Sequence, residues 1–238
     1  MVNRKIYCLH NRALIQITGL DALRFLQNLI TNDLDRVAQG LIYAALLTPQ
    51  GKYLFDFFIL KKSETYFIID ISSQSKKDFL QRLKLYKLRA DVNIKELDGK
   101  VGIGFRQKPN NAFIDPRCEQ LGWRQYFLET TYPSDLVLMD HESYKKLRVE
   151  HRIPETGVEL IQNKTFILEA GFERLTGVCF KKGCYIGQEV TARMRHKTEL
   201  QKGLAKVRVI GKVNSKDNDI FFERKIVGRL FTRSEEYA

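Results

Sequence analysis

Two apolar runs, Leu41–Leu47 and Tyr53–Leu60, stand on either side of Pro49-Gln50-Gly51-Lys52. A proline followed two residues later by a glycine is turn chemistry, and both runs are strand-sized, so the segment predicts a β-hairpin. Asp56 lies inside the second run, in Leu54-Phe55-Asp56-Phe57-Phe58. A carboxylate among large apolar side chains needs a partner or a face to solvent, which marks it as a candidate polar site. No run approaches the roughly 18 apolar residues of a membrane helix, so no membrane partner is expected.

Around the hairpin, helical and strand periods mix. Ala13–Thr18 alternates like a strand, and Gly19 ends it. Leu23, Leu26, Ile30 and Leu34 then follow a helical period, with Asp21 in the first turn. Tyr66–Ile71 reads as a strand and Gln74–Leu88 as a helix with Phe79, Leu83 and Tyr86 inward. Val92–Ile94, Val101–Phe105 and Gln125–Glu129 read as strands, and 110–123 as a loop. Asp140–Arg152 reads as a helix that Asp140 caps and Pro154 ends. Leu204–Ile210 alternates with Ala205, Val207 and Val209 on one face, and strands at 220–222 and 225–231 are expected to pair with it. Without a βαβ rhythm, the chain predicts an α+β fold.

The chain has 238 residues and a formal net charge of +12. Between Arg174 and Lys212, ten Lys and Arg stand against Glu189 and Glu199, so this sixth of the chain carries two-thirds of the excess. Such a surface attracts anions: nucleic acid, phosphorylated ligands or polyglutamate tails. A tRNA-binding role is one reading of it, although Tyr185 is the only aromatic residue between 181 and 212. The four cysteines, at 8, 118, 179 and 184, make no disulfide framework and read as reduced thiols. The N-terminal residues enter a strand pattern without a secretory stretch, so a soluble intracellular protein is expected.

Lys181-Lys182-Gly183-Cys184-Tyr185-Ile186-Gly187-Gln188-Glu189-Val190-Thr191-Ala192-Arg193 is the stretch richest in chemistry. Two glycines bracket a cysteine, and a helix is expected to start just after Gly187. A thiol ahead of a helix N-terminus, with Lys181, Lys182 and Arg193 as candidate cationic neighbours, is placed to react as thiolate. Cys179 stands five residues earlier with no second cysteine pair nearby, and His196 is an isolated candidate. A self-contained metal site is therefore not expected.

From Lys182 to Arg193 the stretch resembles the signature of the YgfZ family, relatives of the glycine-cleavage T-protein (aminomethyltransferase). The resemblance runs in order through Ile17-Thr18-Gly19 to Asp33, Thr48-Pro49-Gln50-Gly51-Lys52 to Asp56, Asp115-Pro116-Arg117 to Arg124, and Arg148-Val149-Glu150 to Glu155. It covers roughly residues 10–200. It implies a multi-subdomain folate-binding fold over 1–200, with roughly 1–40 and 100–200 in one subdomain, 41–99 in the other, and a short β module over 201–238.

In function, the resemblance implies a folate-binding accessory protein for iron–sulfur cluster assembly or repair, including that of tRNA-modifying enzymes. Cys184 is the implied reactive residue and cluster contact, sharing a [2Fe–2S] cluster with a partner. Tetrahydrofolate is the implied ligand, with Asp56, Glu150 and Tyr144 at the pterin and Lys181, Lys182 and Arg193 toward its tail. An A-type scaffold or client iron–sulfur protein is the implied partner. The implied setting is the bacterial cytoplasm, or the mitochondrial matrix in an organelle-bearing source. The alternative is a tetrahydrofolate-dependent aminomethyltransferase, but the T-protein has an Asp pair where this chain has Phe55-Asp56. Arg12 stands where some YgfZ proteins have tryptophan. The residues after Gln201 suffice for about three strands, too few to close a barrel. Their open edge is free to pair, including with a second copy, so a monomer or weak dimer is expected.

Overall fold

A computed structural model describes residues 6–35, 40–128, 136–138, 140–197, 200–210, 218–234 and 236–238. In chain order the elements are β1 (Ile6–Leu9), β2 (Arg12–Thr18), α1 (Ala22–Gln27), β3 (Leu41–Leu47), β4 (Tyr53–Ser63) and β5 (Tyr66–Ser72). There follow α2 (Lys76–Lys87), β6 (Asn93–Leu97), β7 (Lys100–Gly104), β8 (Ala112–Ile114), β9 (Trp123–Phe127), β10 (Leu136–Leu138) and α3 (His141–His151). The last are α4 (Gln188–Lys197), β11 (Asp219–Phe222) and β12 (Lys225–Arg229).

The predicted hairpin is β3–β4, and it forms one side of an antiparallel sheet of order β3-β4-β5-β2-β6. This central sheet is buried on both faces. Ile15, Ile17, Ala44, Phe57 and Ile69 pack under α1 and α2, against Phe25, Leu26, Phe79 and Leu83. Leu14, Tyr43, Tyr53, Phe58 and Ile68 face the other way, toward Val101, Leu121 and the irregular segment holding Leu160, Phe172 and Tyr185. A second sheet, β10-β1-β7-β9-β8, supplies part of that cover; β1 and β10 run parallel and its other pairs antiparallel. The residues before 40 do not all side with 100–200 as the expected division had it: β2 pairs with β5 and β6 in the central sheet, while β1 pairs with β7 in the second.

Three expectations change. The helix predicted through Leu34 stops at Gln27, because bonds from distant residues hold the chain beyond it: Thr31 N–H donates to Ala45 O at 2.9 Å, and Gln27 Oε1 accepts Leu34 N–H at 2.9 Å. The loop at 110–123 contains the short β8. Residues 204–210 form no ladder with β11 or β12; they reach the chain end instead, Val207 exchanging backbone bonds with Ala238 at 2.9 and 3.0 Å. Ala205 is exposed and Val207 half-exposed, so no sheet face is buried to hold that alternation. β11 and β12 pair as expected, as a two-stranded ribbon.

Candidate functional site

The covered face of the central sheet holds a polar cluster around Phe58. Asp70 of β5 accepts Arg12 Nε at 2.6 Å with one oxygen, and Arg124 at 2.6 Å with the other. Asp115 takes a bidentate fork from Arg117 at 3.0 and 2.8 Å. The guanidiniums of Arg12, Arg117 and Arg124 lie 5.6, 4.7 and 4.0 Å from the centre of the Phe58 ring. Burial pushes both carboxyls up, but the guanidiniums outweigh it and hold them below the usual range.

Asp56 points into the same face and is only 5% exposed. It accepts hydroxyls from Tyr43 at 3.0 Å, Tyr53 at 2.7 Å and Thr156 at 2.6 Å. The polar residue in the apolar run is thus satisfied by groups from β3, β4 and the loop after α3. Burial raises both tyrosine hydroxyls well above their ordinary range, and the Asp56 charge adds to it.

Between these groups is a cavity of ≈ 40 Å³, lined among others by Arg12, Asp56, Phe58, Arg117, Arg124 and Tyr144. Sites for drug-sized ligands span about 300–1,000 Å³, and one water fills about 30 Å³. As it stands the cavity does not admit a pterin. Arg12, reaching to Asp70 and Phe58, is one of the groups filling it. One feature favours an added polar group: Nε of Arg124, which is 1% exposed, has no hydrogen-bond partner.

Tyr144 joins Asp56 at this cavity, its hydroxyl accepting from Arg117 at 3.3 Å. Glu150 does not. Helical geometry puts Tyr144 and Arg148 on one face and turns Glu150 about 200° from Arg148. Glu150 is solvent-exposed, pairs with Lys206 at 2.7 Å and lines a separate 510 Å³ cleft with Tyr7 and Phe105. The hydrogen bond from Lys206 lowers its carboxyl from the ordinary value. Arg148 is the inward residue, donating to Glu155, to Glu159 at 3.2 Å and to Ile153 O at 3.2 Å. Sequence reading missed Arg12, Asp70, Arg124 and Arg148 as members of the cluster. For Arg12 and Asp70 the period-two register of β2 and β5 was the available signal.

The cysteine loop is the second place of interest. Lys182 is buried, and its ammonium donates to the carbonyls of Gln27 at 2.7 Å, Ile30 at 2.8 Å and Asn32 at 2.8 Å. Burial pushes it down to about 8. At the other end Gly187, at φ +83°, packs so closely that a Cβ there would lie 2.6 Å from Thr48 O. Tyr185 is buried between these anchors, while Lys181, Gly183 and Cys184 are exposed. A Cβ on Gly183 would meet nothing within 4 Å. The expected helix α4 begins at Gln188.

The expected cations are arranged differently. Lys182 is committed to backbone carbonyls, and Arg193 pairs with Glu189 at 2.9 Å. The Lys182 ammonium is therefore not available to a tail-binding patch, while Arg193 stays exposed at the surface. Cys8 and Cys179 are buried and Cys118 half-buried, so Cys184 is the exposed thiol among them. Among the described residues no three His, Cys, Asp or Glu side chains gather as a metal site.

Residues 9–103 match the GCVT N-terminal domain. A mitochondrial iron–sulfur cluster assembly factor IBA57 homolog from Neurospora crassa is 30% identical over 225 residues, spanning 82% of this chain and 51% of that protein. Proteins of the same name from Mycosarcoma maydis and Pyricularia oryzae are 27% and 29% identical, covering 81% and 82% of this chain and 54% of each relative. The chain therefore spans about half the length of the curated relatives it matches. The glycine cleavage system aminomethyltransferase T from Bartonella henselae superposes with a TM-score of 0.61 at 14% identity, over 86% of this chain and 65% of that one.

Proposed function

The chain belongs to the YgfZ family of T-protein-fold proteins, and on that premise we propose that it is an accessory protein of iron–sulfur cluster assembly or repair that works through Cys184. The observation that carries this reading is the doubly anchored loop: Lys182 on one side and Gly187 on the other fix the backbone while Cys184 stands in solvent. A thiol held this way is available to a docking protein without rearrangement. As thiolate it ligates one iron, for which sulfur is a suitable donor. The other ligands come from the partner, an A-type scaffold or a client protein. The names of the relatives favour the mitochondrial matrix over the cytoplasm as the setting, and tRNA-modifying iron–sulfur enzymes are one client class.

Cys184→Ser tests it. The exposed site tolerates the change, so the melting temperature stays at the wild-type value, while the variant fails to restore iron–sulfur enzyme activity in a deletion strain. Full rescue would overturn the role of the thiol. In the wild-type protein, iodoacetamide followed by mass spectrometry labels Cys184 ahead of Cys8, Cys118 and Cys179.

Folate binding belongs to the same reading and is supported by the fold, by Asp56 and Tyr144 at the central cavity, and by the unpartnered Arg124 Nε. It requires the cavity to open.

A further inference from the structure

At one corner of the molecule the loop after β2 is tied to the loop after α2. Asp21 N–H donates to Asp91 O at 3.2 Å, and Asp21 Oδ2 accepts Asp91 N–H at 2.8 Å. Three leucines on the two tied segments are exposed: Leu20, beside Asp21, is 81% exposed, and Leu85 and Leu88, at the end of α2 before Asp91, are 62% and 86% exposed. Single exposed leucines are ordinary; here three fall on two segments held together by the Asp21–Asp91 bonds. Leu88 ends α2 at φ 44°, ψ −113°, a backbone state that bulky side chains avoid, and its side chain stands in solvent. Between α1 and α2 lies an adjoining 310 Å³ cleft with Phe25, Leu29 and Tyr86 in its wall and Arg24 among its lining.

The charge around the leucines is predominantly positive. Arg24, Lys84, Lys87 and Arg89 belong to α1, α2 and the residue after Leu88. Among the described residues none of these four makes an ion pair with a carboxylate. The nearby acids are Asp21, Asp91 and Glu64; the Asp21 carboxylate is already bound to a backbone N–H, and Glu64, next to the Thr65 that accepts Gly19 N–H, is paired with Lys61. The local surface is cationic with apolar knobs standing out of it.

We propose that this corner is a docking surface for an anionic membrane face. Knobs that project separately fit a fluid phase, which needs no matching holes, and the free cations complement lipid phosphates and carboxylates. The mode is surface association: no helix among the described residues is long and apolar enough to cross a bilayer. The sequence expectation of no membrane contact rested on that lack of a span, which does not bear on binding at the interface. The proposal is independent of the role given to Cys184.

The test is co-sedimentation of the full chain with phosphatidylcholine vesicles, with and without about a third of phosphatidylserine. The chain is expected to sediment with the anionic vesicles, to stay in solution with the neutral ones, and to be released by high salt. The double variant Leu20→Ser, Leu88→Ser is expected to lower partitioning about tenfold or more. Ile210→Ser, which changes an equally exposed residue elsewhere, is expected to leave it unchanged. Circular dichroism and melting temperature verify that both variants fold. No binding to anionic vesicles, or binding that the leucine pair does not alter, would overturn the proposal. Capture of an acidic amphipathic peptide at this corner without vesicle binding would overturn it too, and would assign the corner to a protein partner.

Discussion

Asp70 carries two guanidiniums on two oxygens in a place that water does not reach. Such a pair adds little net stability over an apolar replacement, but removing one member leaves the others charged and alone. Asp70→Asn is therefore expected to cost about 3–5 kcal/mol in urea unfolding. The carboxyls of Asp70 and Asp115 lie below their ordinary value of 3.8 in the folded protein. Their contribution is complete above that value and is lost as pH falls through the lower folded one, because the unfolded chain binds protons first. The acid limb of a stability–pH curve below about pH 4 is expected to be shallower in Asp70→Asn than in the wild type. Arg12 is one of the groups that fill the central cavity. Arg12→Ala leaves Arg124 on Asp70 and enlarges the cavity by the volume of the Arg12 side chain, so tetrahydrofolate affinity by calorimetry is expected to rise about tenfold or more. Equal affinity in the two proteins would show that Arg12 does not gate the cavity. Asp56 was legible in the sequence as a polar residue in an apolar strand, whereas Arg12 was legible only as a departure from a tryptophan.

At the scale of elements, the loop between Lys182 and α4 shows how one segment serves two ends. Lys182 looked like a surface cation beside Lys181, because sequence gives both the same charge and no depth. Folding turns Lys182 inward, where it satisfies three carbonyls left without helical partners when α1 stops at Gln27. Lys182→Met is expected to cost about 2–4 kcal/mol, since buried acceptors lose their donor, while Lys181→Met stays within about 0.5 kcal/mol of wild type. Equal and small effects in denaturant titration would remove the anchor from the account of Cys184. The helix α3 behaved as read: Asp140 accepts Glu142 N–H at 3.4 Å and Ser143 N–H at 3.0 Å, and the helix closes before Pro154. Asp21, expected in the first turn of α1, stands one residue before the helix, and its carboxylate accepts Asp91 N–H rather than a helix N–H.

Across the whole molecule, stability is concentrated in the central sheet. It packs apolar side chains on both faces, whereas the β11–β12 ribbon exposes Phe221, Phe222, Ile226 and Val227. Amide exchange is expected to be slowest in β4 and β5 and fastest in the ribbon, by several orders of magnitude. Protection of the ribbon equal to that of β5 would mean that it folds with the core. The sequence by itself determined the elements whose signals are local: the hairpin at Pro49–Lys52, the capped α3, the start of α4 and the exposed-thiol motif. Strand period, turn residues and caps act over a few neighbours, so they can be read without knowing the fold. Tertiary structure alone decided which face of α3 meets the central sheet, and so excluded Glu150 and admitted Arg148. It also decided that Lys182 is an anchor, that Arg12 and Arg124 share Asp70, and that residues 204–210 pair with the chain end. Each of these rests on contacts between residues far apart in the chain, and burial assigns a charge its partner only after the chain has folded.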